Sequence, residues 1–261
     1  MIKLNNFLLK AGLLLFLTVI LISCSQEEQG EIHIYLVGDS TMANKADPEH
    51  NPERGWGMEF HRVFNDQVKI FNHAVNGRSS KSFIEEGRWD SVMNDLKYGD
   101  YVFIQFGHND QKYKDSRRYT NPYSGYRQNL VKYILDTRSK GANPIICSSI
   151  VRRNFNEYGT LEDTHGAYPF VARMVAREYN VPFLDLQQKT EDWINKLGQE
   201  ESKQYFMNLE PGQYEIFPDG RVDNTHLVEA GAFAVSVFAA EEMIKEDVPL
   251  SKYIRQGLFH E

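Results

Sequence analysis

The chain has 261 residues, 36 of them acidic and 29 basic, for a formal net charge of −7, with 41% hydrophobic residues. Such an acidic chain makes a poor partner for nucleic acid, and any anionic ligand would need a local basic patch. Its two cysteines, Cys24 and Cys147, exclude a disulfide-built scaffold, so a hydrophobic core must hold it together.

The first element is a leader. Lys3 and Lys10 precede "AGLLLFLTVILI", an uncharged apolar run with the length of a signal-peptide core, too short for a comfortable membrane span. It closes on "LISC", where Leu21 and Ser23 ahead of Cys24 resemble the lipobox of bacterial lipoproteins. That resemblance implies a lipoprotein signal peptide over 1–23, Cys24 as the lipid-bearing first residue of the mature chain, and 24–30 as a solvated tether. The alternative is an ordinary cleaved signal peptide or an uncleaved anchor helix, with Cys24 incidental. Both imply export; the lipoprotein would be held to a membrane, facing the periplasm or the cell surface. Cys147, in the apolar "PIICSSI", reads as a buried free thiol.

Residues 31–261 are long enough for one domain with a large core and contain no repeat or long linker. Apolar runs at 32–37, 68–74, 101–107, 144–151 and 181–186 read as strands. Between them "GMEFHRVFND", "YRQNLVKYILDTRSKGA" and "AYPFVARMVAREYN" have helical spacing, and a last helix is expected over 226–246 with Leu227, Phe233, Val237, Phe238 and Ala240 as its apolar stripe. Residues 187–222 read as less regular, with "EPGQYEIFPDG" an exposed loop. Strands alternating with helices predict an α/β fold whose parallel sheet is covered on both faces.

In such a sheet ligands bind beyond the carboxyl ends of the strands. The polar residues after the predicted strands are Gly38-Asp39-Ser40, Asn76-Gly77-Arg78, Gly107-His108-Asn109-Asp110 and Arg152-Arg153-Asn154, so four consecutive strands deliver them to one edge. Near the far end stands "DNTHL", with Asp223 and His226 three apart before the last helix. A serine hydroxyl is a weak nucleophile and needs a base, whose second ring nitrogen must itself be fixed; Asp223 and His226 can supply both from one turn. Taken singly, each piece has a plainer account: turn chemistry for "GDST" and Asn109, backbone freedom for Gly77, a helix cap for Asp223, local hydrogen bonds for His108 and His165, solvated surface for the arginines.

Taken together and in order, "GDST", "NHAVNGRSSKSF", "GHND" and "DNTHL" resemble the SGNH hydrolases along nearly the whole mature chain. More narrowly, "NGRSSKSF", "FIQFGHND" and "DNTHL" resemble the rhamnogalacturonan acetylesterase group of carbohydrate esterases. The resemblance implies a three-layer α/β/α sandwich around a mostly parallel five-stranded, flavodoxin-like sheet. It implies Ser40 as nucleophile, His226 as general base and acid, and Asp223 as its orienter. The oxyanion would be held by the backbone N–H groups of Ser40 and Gly77 and by the amide of Asn109. No metal or other cofactor is required.

The substrate class so implied is an acetyl ester on an acidic pectic polysaccharide, most specifically rhamnogalacturonan. Arg78, Lys81, Arg152 and Arg153 fall in loops at the predicted edge, where Arg78 or Arg152 would offset galacturonate carboxylates. Trp56, Tyr123 and Tyr126 are candidate platforms for sugar rings, core packing being the alternative for Trp56. Deacetylation of xylan or another sugar and a lipid-type esterase remain open as alternatives, as do a metal-dependent phosphoesterase and a non-catalytic glycan-binding lipoprotein. "GRSSKS" and "VRRN" make the edge polar, against a lipase. No Gly-x-Ser-x-Gly elbow surrounds Ser40, against the α/β-hydrolase fold.

Overall fold

Alternate residues of strand β1 (Ile32–Gly38) enter opposite layers, Ile34 and Leu36 packing in one hydrophobic cluster and Tyr35 and Val37 in the other. The same two-residue alternation sends Phe103 of β4 (Tyr101–Gln105) to the first cluster and Val102 and Ile104 to the second. Strands buried on both faces in this way belong to the middle of a parallel sheet. The computed structural model describes residues 31–260. The expected signal peptide, tether and Cys24 lie outside the described residues.

Five parallel strands form the sheet in the order β3-β1-β4-β5-β6, with β3 at Val68–Asn72, β5 at Asn143–Cys147 and β6 at Phe183–Leu184. Every one falls inside an apolar run read as a strand, or within a residue of it. Helices cover both faces. Trp56 of the single-turn α1 (Trp56–Glu59) packs in one layer with α6 (Leu186–Glu201) and α7 (Glu229–Lys245). In the other layer lie α2 (Ser80–Glu85), α3 (Arg88–Asp95), α4 (Arg127–Ser139) and α5 (Ala167–Glu178). The thiol of Cys147 is fully buried in β5, and burial pushes its pKa up. Among the described residues no helix is long and apolar enough to cross a membrane.

Two expectations need correction. Residues 187–222 are more regular than their composition suggests: α6 fills 186–201, β7 (Phe206–Leu209) follows, and of this stretch the part from Glu210 to Gly220 is the loop. Only Leu186, Thr190 and Ile194 of α6 are buried, a stripe one residue wide that the surrounding polar residues conceal. The last helix begins at Glu229 rather than at 226, because Arg221–Val228 is a strand, β8. It runs antiparallel between β7 and a two-residue β2 (Glu53–Arg54) in a second, three-stranded sheet. This small sheet carries the chain's late residues to the edge where β1 ends.

Candidate active site

Ser40 follows the carboxyl end of β1, which lies between β3 and β4, where the strand order reverses. Asp39 shapes the turn: its fully buried carboxylate Oδ1 accepts from the backbone N–H of Thr41 at 3.0 Å and from the Thr41 hydroxyl at 2.9 Å. Burial would raise the Asp39 carboxyl, but the charge and hydrogen bonding of His108 and the Thr41 donors outweigh it and bring the pKa to about 2. The chain after the turn is pinned by close backbone packing. Trp56 donates its backbone N–H to the Thr41 carbonyl at 2.8 Å, and a Cβ on Gly55 would stand 2.3 Å from the Ala43 carbonyl oxygen, so only glycine fits there.

The partners of Ser40 come from β8. His226 Nε2 lies 2.9 Å from Ser40 Oγ, and His226 Nδ1 lies 2.8 Å from Asp223 Oδ2. Asp223 also accepts from the backbone N–H groups of Thr225 (2.9 Å) and His226 (3.0 Å) on Oδ1, where the register of β7 and β8 shifts. The strand bulges so that two residues three apart meet side to side. They do so within β8 and not at the start of the last helix. Burial would raise the Asp223 carboxyl, but His226 and these N–H donors hold it well below the usual carboxylate range. With one imidazole nitrogen on a carboxylate, the other can take a proton from the serine hydroxyl.

Three charged residues that sequence reasoning did not single out close this chain into a ring. Arg221 donates from Nη2 to Asp223 Oδ2 at 2.6 Å and from Nη1 to Glu53 Oε2 at 3.0 Å. The other Glu53 oxygen pairs with Lys45 Nζ at 2.8 Å. The ammonium also donates to the Ser40 carbonyl (2.6 Å) and to Asn76 Oδ1 (2.8 Å), so its three N–H donors meet three acceptors in a nearly water-free position. Burial would raise Glu53, yet Lys45 first, then His226 and Arg221, hold it below its ordinary value. A chemical signal existed in the unusual Lys45, buried in the loop after "GDST". The partners did not announce themselves, because β2 is only two residues long.

On the other side of Ser40 lie Gly77 and Asn109. Gly77 has φ +76°, a left-handed conformation, and nothing lies within 4 Å of where a Cβ would sit. It is needed for its backbone angle and not for space. The buried Asn109 donates from Nδ2 to the Arg78 carbonyl at 3.1 Å and accepts on Oδ1 from Arg118 Nη1 at 3.2 Å, which orients the amide with its donor nitrogen toward the Gly77–Arg78 loop. Next to it, the fully buried Asp110 accepts from Ser80 N (3.0 Å), Ser80 Oγ (2.5 Å) and Thr120 Oγ1 (2.8 Å), tying the start of α2 to the Asn109 loop. Burial outweighs those donors and brings the Asp110 pKa up to about 6.

Other candidates are placed elsewhere. Trp56 is fully buried and donates Nε1–H to Gln105 Oε1 at 3.0 Å; it is core and offers no face to a sugar. Tyr126 is likewise buried, its hydroxyl on the Phe106 carbonyl, while Tyr123 is 64% exposed. Arg152 is half-buried and donates to Thr164 Oγ1 at 3.1 Å and to the His108 carbonyl at 3.3 Å, bracing the loops that follow β4 and β5. Arg153 is buried against Ser202 and Asn224. Arg78 alone of the three expected substrate residues reaches an open cavity beside Gly77. His165 is buried between Gln111 and the Ile150 carbonyl, with the His108 ring edge-on to it.

Residues 36–232 match the family described as GDSL-like lipase/acylhydrolase. The chain is 40% identical over 231 residues to the rhamnogalacturonan acetylesterase RhgT of Bacillus subtilis, a match covering 88% of this chain and 97% of that one. With the probable rhamnogalacturonan acetylesterase YesY of the same organism it shares 32% identity over 222 residues, 85% of this chain and 97% of the relative. Among solved structures, YxiM of Bacillus subtilis superposes with a TM-score of 0.70 at 23% identity, over 84% of this chain and 58% of that one. A catalytic mutant of Axe2, an acetylxylan esterase from Geobacillus stearothermophilus, gives 0.57 at 16% identity, over 82% and 95%. At these identities the two structures speak for the fold.

Proposed function

The chain belongs to the GDSL-like lipase/acylhydrolase family of ester hydrolases, and from that premise we propose that it is a serine esterase removing O-acetyl groups from rhamnogalacturonan. The observation that carries the mechanism is the unbroken hydrogen-bonded chain Ser40–His226–Asp223 facing the Gly77 and Asn109 loops. The names of its relatives at 40% and 32% identity favour the substrate.

In this mechanism Ser40 Oγ attacks the acetyl carbonyl carbon as its proton passes to His226 Nε2. The imidazolium so formed is stabilised through Nδ1–H on Asp223, which stays ionised. The carbonyl oxygen becomes an oxyanion and accepts from the N–H groups of Ser40 and Gly77 and from Asn109 Nδ2, each such donor contributing about 2.7–4 kcal/mol. Collapse breaks the bond to the sugar oxygen, which leaves with the proton from His226. Water then attacks the acetyl-serine, again giving its proton to His226, and acetate departs as the proton returns to Ser40 Oγ. Within the same proposal the leader accounts for export and for anchoring through Cys24, and a Cys24→Ser chain that still partitions into the membrane fraction would overturn the anchor.

The test is acetate release by protein lacking residues 1–24 from acetylated rhamnogalacturonan, acetylated xylan and acetylated homogalacturonan, with Ser40→Ala as control. Fastest serine-dependent release from rhamnogalacturonan is expected. Faster release from another polymer overturns the substrate and keeps the mechanism, and serine-independent release overturns the mechanism.

A further inference from the structure

A cavity of about 320 Å³ opens beside the oxyanion-hole glycine, lined by Gly77, Arg78, Ser82, Glu86, Arg117 and Arg118. Three guanidinium groups against the carboxylates of Glu86 and Asp115 leave it net basic, in a chain whose whole charge is −7. Acids hold these arginines in place without using them up. Arg78 gives Nε to Glu86 at 3.0 Å and Nη1 to the Asn76 carbonyl at 3.0 Å. Asp115 takes Nε of Arg118 at 2.7 Å and Nε of Arg117 at 3.3 Å, and those hydrogen bonds keep its carboxyl down at about 2. Among the described residues, Nη2 of Arg78, Nη1 of Arg117 and Nη2 of Arg118 donate no hydrogen bond within the chain.

We propose that this cavity is a subsite for a uronate carboxylate of the glycan chain that carries the acetyl ester, read by Arg78, Arg117 and Arg118. Unused terminal N–H groups on guanidinium planes suit a carboxylate, which accepts through two oxygens in one plane. The location couples recognition to chemistry. Arg118 lines the cavity and also holds Asn109 Oδ1, so a carboxylate drawn to its outer edge bears on the residue that orients the oxyanion donor. Gly77 belongs to both the cavity wall and the proposed oxyanion hole, which sets the uronate subsite beside the reacting ester. The subsite rests on the acidic-glycan esterase function proposed above and assigns its charge recognition to residues outside the four sequence blocks, Arg117 and Arg118, as well as to Arg78.

The experiment compares kcat/KM for acetylated rhamnogalacturonan oligosaccharides with that for the same oligosaccharides after reduction of their carboxylates to alcohols. Wild type and an Arg78→Ala/Arg117→Ala double variant are measured at rising salt. A preference for the acidic form of about tenfold is expected in wild type, falling with salt and collapsing in the variant. An equal preference in both proteins, with release still dependent on Ser40, would overturn the subsite and leave the esterase standing. If no acetylated glycan gives serine-dependent release, the functional proposal fails instead. The cavity is then tested by calorimetric binding of unacetylated oligogalacturonate to the full domain, and binding no weaker in the double variant overturns it.

Discussion

Two sides of one cleft use charge in opposite ways. On the nucleophile side, Lys45, Glu53, Arg221 and Asp223 form a chain of ion pairs in which the Lys45 ammonium, its side chain 2% exposed, has an acceptor for each of its three donors. On the oxyanion side, Arg78, Arg117 and Arg118 are held by Glu86 and Asp115 at the surface, and the Arg117 side chain is 87% exposed. A dehydrated charge is expensive to strand and so fixes geometry, whereas a solvated one is weakly bound and can be lent to a ligand. Similar residue types thus serve as framework in one place and as recognition in the other, and burial decides which.

The severest break removes the nucleophile. Ser40→Ala should lower acetate release by about 10⁴-fold or more with the melting temperature nearly unchanged, measured by steady-state kinetics and calorimetry on one preparation. Next, Asn109→Ala should lower kcat by about 10²–10³-fold with a smaller change in KM, since the amide is asked to bind a charge that exists only in the transition state. The comparison itself is sharpened by twin substitutions. Glu53→Ala leaves the buried Lys45 ammonium without its counter-ion and should destabilise by about 3 kcal/mol, while Glu86→Ala, at a partly solvated site, should change stability by under about 1 kcal/mol. Equal losses in urea titrations would mean that burial does not separate the two sides.

The smallest effect concerns Asp110, the buried acid of the oxyanion side. Because its carboxyl titrates near 6 in the fold, above its unfolded value, the protonated form is favoured by folding. The stability it contributes is complete below the unfolded pKa and is lost as pH rises through about 6. Between pH 7 and 5 the melting temperature of the wild type should therefore shift upward by about 2–4 °C relative to that of Asp110→Asn, the buried His108 and His165, whose pKa values burial lowers, acting in the opposite direction and equally on both proteins. Asp39, held at about 2, titrates below this window and leaves the difference interpretable.

Much of the framework was legible in the sequence, because strands buried on both faces must be continuously apolar and the polar blocks that follow them stand out. All five strands of the main sheet were found this way; Ser40, His226 and Asp223 lie in one hydrogen-bonded chain, and Asn109 reaches the loop that holds Gly77. Less visible was whatever depended on pairing between distant short segments. Helix α6 buries only a narrow stripe, and β8, as "RVDNTHLV", mixes polar and apolar residues without alternation. Trp56 misled for a related reason: a residue type suited to carbohydrate binding is equally suited to a core, and only burial distinguishes them.

Ser40 and His226 lie 186 residues apart, and β8, which carries His226, is held between β7 and the two residues of β2, Glu53 opposite Val228 and Arg54 opposite Leu227. A ribosome delivers the nucleophile early and its base near the end, so no shortened or half-folded chain holds a primed serine. Turnover in this protein therefore doubles as a report on a contact between distant parts of the chain, and an acetate assay run during refolding would time its formation.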